Sequence, residues 1–348
     1  MLLNVLVRIF ITLIVALSPY CVFSQDSGDS ATAASFGQVH EFPLQTEWPR
    51  TVSYPDDITV EIVKESRNGG GSLYRTNHFE LTSDIPLTRG ALCQVLEVME
   101  ATLACWKALP IDLNLSAQDQ LYPVRLVSNE DTFLQVGGIR GAGGIYLPEN
   151  QQTLIRIDAL QPGWTKDGQI ASIEKQELIA HEVTHQIQHE LIGKLPIWLL
   201  EGMAVYIESV PFHDGTFQFD EKSFHHADGI RRCTRNEFQT LPLKSLMTLT
   251  PHEWNHNFIT SPKGNDRQYL TAYLLTYFLF HSEGTGDMAA LRNYIRETLV
   301  SAAGTPGASS ALEALFALSC YDALEIKMQR KYEEWGFKLS PLQGHIFK

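Results

Sequence analysis

Cysteine is scarce in this chain and poorly placed for metal work: there are five in 348 residues and no Cys-x-x-Cys pair, which argues against a thiolate zinc site. No basic tract offsets the formal net charge of −13, so nucleic acid and anionic membrane surfaces are disfavoured as partners. The longest apolar run near the start, Ile9 to Leu17, is too short to span a bilayer comfortably. Internal repeats, coiled-coil heptads and a phosphate-cradling Gly-x-Gly loop are also missing. What remains is a globular chain whose 44% apolar content is ample for a packed core.

That apolar run follows Arg8 and precedes Val22-Phe-Ser24, the pattern of a signal peptide cleaved after Ser24, with a retained signal anchor as the competitor. Lipidation at Cys21 is disfavoured by the bulky Tyr20 before it. An exported protein, secreted or held in the periplasm or cell envelope, is therefore expected. Residues 25–45 are small and polar and are expected to form a disordered tether. Cys93 and Cys105 lie in one predicted helix, about 18 Å apart along its axis, and cannot pair there. Cys233 with Cys320 is left open as a disulfide or as two thiols.

The chemistry concentrates in His181-Glu-Val-Thr-His185. If this stretch is helical, the two imidazoles lie one turn apart on one face and can converge on a metal ion. Ser172 is read as the N-cap, with Glu174 and Glu177 in the opening turns and Gly193 as the stop. Pro196 suits the first turn of a second helix running to about Ser209. Fifteen residues separate His185 from Glu201, enough for a turn that aims Glu201 back at the ion as third ligand. Glu182, beside the ion, can take a proton from an attacking water and pass it to a leaving amine.

His181-Glu-x-x-His185 followed by Trp198-Leu-Leu-Glu201-Gly-Met-Ala-Val-Tyr206 resembles the gluzincin zinc metallopeptidases, above all the peptidase-MA-like branch of secreted bacterial proteins. The resemblance is strong over residues 177–208 and diffuse elsewhere. It implies a zincin-like fold, Zn2+ at His181, His185 and Glu201, Glu182 as general base, and a peptide or protein substrate. Thermolysin-like members carry an Asp four positions after the ligand Glu, where this chain has Val205, so another group must orient the histidines. Glu208, seven residues after Glu201 on the same helix face, is the candidate. The resemblance also gives Gly143 to Leu147 a role as the sheet edge that pins substrate; a plain structural strand is the alternative. A second match, His252-Glu-Trp-Asn-His256, starts a short helix with Thr250 as N-cap and Pro251 as first helical residue, has no following Glu-Gly-x-Ala pattern, and is not expected to bind metal.

The fold expected is α+β: a β-rich lobe over 46–165 with one long helix, Arg89 to Lys107, then an active-site helix pair and a mainly helical lobe over 166–348. Strands are expected at Thr59 to Val63, Ser72 to Leu81, Tyr122 to Val127, and in a hairpin at Gly143 to Leu147 and Thr153 to Ile157. His225-His226 is expected at the surface, and Ser301 to Ser310 as a loop. A helix from about Asp266 carries Tyr269, Tyr273 and Tyr277 on one stripe; Tyr269 is the candidate catalytic donor to a developing oxyanion, ahead of Tyr206. Asp322 and Glu325 read as a capping box for a last helix that stops at Gly336. The enzyme is expected as a monomer; the alternative is a non-catalytic secreted binding or scaffold protein on the same fold.

Overall fold

The computed structural model describes residues 48–55, 58–65, 71–111, 121–189, 192, 194–219, 237–260, 262–281, 291–295, 297–298 and 321–342. The signal-peptide and tether expectations, Cys21, Cys233, Cys320, His225, His226, Gly193 and the 301–310 loop lie outside these residues. The first half contains β1 Thr51–Ser53, β2 Glu61–Lys64, β3 Ser72–Arg75, β4 Phe79–Ser83, helix α1 Arg89–Ala108, β5 Tyr122–Val127 and the short α2 Glu130–Gln135. It continues through β6 Gly144–Leu147, β7 Gln152–Arg156, β8 Pro162–Trp164 and β9 Ile170–Ile173. Then come α3 Gln176–Ile187, α4 Ile197–Ser209, β10 Phe212–His213, β11 Thr216–Gln218, β12 Glu237–Thr240, α5 Leu243–Met247, α6 Pro251–Thr260, α7 Pro262–His281, α8 Tyr321–Glu334 and β13 Lys338–Pro341. The class is α+β, as expected.

Six strands form the main sheet in the order β2-β3-β4-β5-β7-β6. β4, β5 and β7 run parallel at its centre, and β6 returns antiparallel to β7 as an edge. Alternation in β4 and β5 buries Phe79, Leu81, Tyr122, Val124 and Leu126 on one face, the face a half-covered sheet must hide. α1 makes the crossover from β4 to β5. Its N-terminus is capped by Thr88, whose hydroxyl accepts from Ala91 N–H at 3.3 Å, and it buries Leu92, Leu96, Met99 and Leu103. Cys93 and Cys105 are both free thiols, and they do not pair with each other, as expected. Outside this sheet β1 pairs with β11, and β12 with β13 in parallel, so strand pairing ties early residues to late ones.

Three local expectations give way to tertiary contacts. The single strand over Ser72 to Leu81 is a hairpin, because Thr76 Oγ1 accepts from Phe79 N–H at 3.0 Å and the buried Glu100 of α1 accepts from Thr76 Oγ1 and the His78 backbone. Ser172 is no helix cap but part of β9, paired with β8, and the N–H of Ile173 is taken by Gln94 Oε1 of α1 at 3.0 Å. α3 therefore begins later, at Gln176, with no side-chain cap. Glu325 does not cap its own helix; it accepts from Leu243 N–H at 2.7 Å, at the start of α5. The stop at Gly336 is as expected: φ is +87°, Phe337 N–H bonds Tyr332 O and Gly336 N–H bonds Glu333 O.

α4 and α7 share a tight contact at Gly202, where an added Cβ would lie 2.6 Å from the carbonyl oxygen of Ala272. Their far ends meet in an aromatic cluster in which Tyr206 bonds His281 Nε2 at 2.9 Å, beside Trp48 and Phe280. Burial pushes His281 down to about 3. Between pH 6.5 and 3 the unfolded chain binds a proton there that the folded chain refuses, so stability falls as pH drops through this window. Urea unfolding should lose up to about 3 kcal/mol from this residue between pH 6.5 and pH 4, and His281→Gln should flatten the dependence by that amount.

Candidate metal centre

α3 is pressed between α1, the β6–β7 edge and α4, and its position is set by polar anchors as well as by Leu178, Ile179 and Val183. Trp106 of α1 donates its indole N–H to Thr184 Oγ1 at 3.0 Å. Gln186 donates to the carbonyls of Pro123 and Gln151. α4 folds back on α3 after Pro196, which sits at the N-cap with ψ of 142°, one residue before the helix begins. This return brings Glu201 to His181 and His185.

The three donor atoms form a small triangle. His185 Nε2 lies 3.1 Å from His181 Nε2, and Glu201 Oε2 lies 3.6 Å from the first and 3.7 Å from the second. Two ligands on a tetrahedral ion at 2.0–2.1 Å stand roughly 3.3 to 3.4 Å apart, a value these sides bracket. All three residues are buried, and both oxygens of Glu201 lack a hydrogen bond. A dry carboxylate facing two imidazole nitrogens calls for a cation. Among the described residues this is the one group of three or more such side chains able to hold a metal ion.

Glu208 takes the orienting role. Its Oε2 lies 2.8 Å from His181 Nδ1, and since a carboxylate only accepts, that nitrogen carries the proton and Nε2 keeps its lone pair for the centre. Burial works against protonating His181, yet the charge and hydrogen bond of Glu208, helped by Glu182 and Glu201, push it up to about 9. Protons therefore compete with a metal here below that pH. Burial lowers His185 instead, against the pull of Glu201.

His185 Nδ1 has no hydrogen bond of regular geometry, and neither does the buried amide of Gln188, one turn on. Gln188 is close enough to help hold up the basicity of His185. Gln188→Leu should weaken metal binding about 10- to 100-fold in a chelator competition, with Glu208→Gln acting similarly through His181.

Glu182 lies against β6. A Cβ on Gly144 would lie 2.5 Å from its Cγ and 2.8 Å from its Oε1, so only glycine lets the strand close on this carboxyl group. Neither oxygen is hydrogen-bonded. Burial raises Glu182, His181 opposes this, and Glu201 and Glu208 add to it, for a value of about 8. That suits a group that must both take and give a proton near neutrality.

Tyr269 is buried, with its hydroxyl 3.3 Å from the indole nitrogen of Trp254, which donates to it. Burial raises its pKa first and the charge of Glu201 next, followed by Glu182 and Glu208, so the phenol stays protonated and within electrostatic reach of the centre. Tyr206 is turned into the aromatic cluster around His281, away from the site. His252 and His256 are exposed with rings 6.4 Å apart, and no third ligand joins them among the described residues. Thr250 caps their helix as expected, with Glu253 closing the box. Trp106, Trp254 and the closure of Gly144 on Glu182 went unrecognised in the sequence, because each partner lies on another element.

Comparison of the chain with family models, with curated proteins and with solved structures gives no match.

Proposed function

We propose that this chain is an exported, zinc-dependent peptidase of the gluzincin type, acting on peptide or protein substrates. The observation that carries the proposal is the donor triangle of His181, His185 and Glu201 with the unpartnered, high-pKa carboxyl of Glu182 beside it. Two imidazoles and one carboxylate suit zinc above other divalent ions. When bound, zinc supplies a Lewis acid that polarises a carbonyl and acidifies water. Glu208 holds His181 in the ligating tautomer, and Gln188 helps hold up the basicity of His185. Glu182 takes the proton of the attacking water and returns it to the leaving amine nitrogen. Tyr269, protonated and fixed by Trp254, donates a hydrogen bond to the oxyanion that forms as the carbonyl is attacked.

A non-catalytic metal-stapled scaffold is the rival, favoured by the complete burial of the four central side chains. Metal analysis joined to digestion of an unfolded protein substrate separates the two. Wild type should carry about one zinc per chain, lose cleavage to a chelator and regain it with zinc; His185→Ala should lose both metal and cleavage. A zinc-loaded wild type without cleavage supports the scaffold, and a wild type that binds no zinc sinks both.

A further inference from the structure

A cleft of about 100 Å3 lies at the far end of α3, between its last turn, the start of β5 and the turn joining β6 to β7. Tyr122, Pro123, Tyr146, Asn150, Gln186 and His189 are among its walls. The hydrolysis proposed above makes no use of it. Gln186 stands four residues and His189 seven residues after Glu182, so the three share one stripe of the helix and its continuation. β6 keeps step with that stripe: Gly144 closes on Glu182, and Tyr146, on the same face of the strand, places its hydroxyl 2.5 Å from His189 Nδ1.

The polarity of the cleft is set by Gln186. Its Nε2 donates to Pro123 O at 2.9 Å and to Gln151 O at 3.1 Å. Both partners are carbonyls and can only accept, so the amide cannot be flipped and Oε1 is the acceptor left over. That oxygen is buried and has no hydrogen-bond partner, in a residue only 1% exposed. Leaving a buried acceptor unmet costs about 1–3 kcal/mol unless a donor reaches it. Glu149, in the β6–β7 turn, adds negative charge felt at the Tyr146 phenol. The volume is ample for a head of a few heavy atoms, since about 10–15 Å3 of such space holds one water.

We propose that this cleft is a recognition site for a primary ammonium group, the head of a lysine side chain in the substrate, with Gln186 Oε1 as its buried acceptor. One helical turn, about 5.4 Å, separates Gln186 from Glu182, which places such a lysine about two residues from the scissile bond of an extended peptide. Assigning the ammonium to a substrate rests on the peptidase proposal; the ammonium site does not.

Titrating the full chain with n-butylammonium, with butan-1-ol as the uncharged control, tests the site by the 1H–15N resonances of the Tyr146 and Gln151 backbone amides in its wall, present in every variant, beside that of the Gln186 side chain in wild type. Saturable shifts with the ammonium alone are expected. Binding should weaken at least about tenfold in Gln186→Met, the loss of a hydrogen bond to a charged group. Asn150→Trp, at an exposed position in the wall of the cleft, leaves Gln186 itself in place, should weaken it likewise and guards against a folding defect in the first variant. Absence of saturable shifts in wild type, or undiminished binding in a folded Asn150→Trp, overturns the proposal whether or not the chain cleaves peptides. Competitive inhibition of the cleavage of lysine-containing peptides by n-butylammonium assigns the site to a substrate side chain. Binding without competition removes that assignment and leaves a site for a free amine.

Discussion

Glu182→Gln is expected to bind as much zinc as wild type while hydrolysing peptide bonds roughly 10²- to 10⁴-fold more slowly, the usual contribution of a positioned general base. The substitution keeps the volume of the side chain, which matters because Gly144 leaves no slack around it. None of the three ligand atoms belongs to residue 182, so the donor triangle is untouched. An amide cannot take a proton from water, and a group raised to about 8 by burial and by two neighbouring carboxylates becomes one that does not titrate at all. The pH dependence of kcat/KM should lose the acid limb that protonation of Glu182 sets. Zinc content by plasma emission spectrometry and initial rates on one substrate check both halves. Unchanged hydrolysis in a zinc-loaded variant would remove Glu182 from the chemistry.

Gly202→Ala should destabilise the fold by about 3 kcal/mol and weaken metal binding as well. The new methyl would meet the backbone oxygen of Ala272 at 2.6 Å, and no rotamer change relieves a clash with backbone. α4 must then move off α7, carrying Glu201, the preceding residue, away from two imidazoles now 3.6 and 3.7 Å from its oxygen. Ala is the better helix former by about 1 kcal/mol, so propensity alone predicts the opposite sign. Urea midpoints with zinc present and with zinc removed separate packing loss from ligand loss. A variant as stable as wild type would mean that the two helices lie farther apart than described.

Glu208 shows how far the bare sequence reaches. Its seven-residue spacing from Glu201 puts both on one helix face, and His181 lies 2.8 Å from it. Spacing within a helix is a local geometric fact, so the pairing of His181 with His185 and of Glu201 with Glu208 was legible before folding was considered. Gly336 at the end of α8 was legible for the same reason, since its positive φ depends on the residue itself. Ser172, Ser72 to Leu81 and Glu325 behaved otherwise. Each has a backbone or side-chain group that a distant partner claims: Gln94 at Ile173, Glu100 at Thr76, Leu243 at Glu325.

By itself, then, the order of residues determined that His181 and His185 share one face of α3 and that Glu201 and Glu208 share one face of α4. Tertiary packing decided where α3 begins, which strand closes on Glu182 and which acceptor is stranded in the cleft beyond it. The division follows from range: rise and rotation per residue are properties of the chain, whereas a hydrogen bond between Trp106 and Thr184, or a carbonyl pressed against Gly202, exists only after segments far apart in sequence have met.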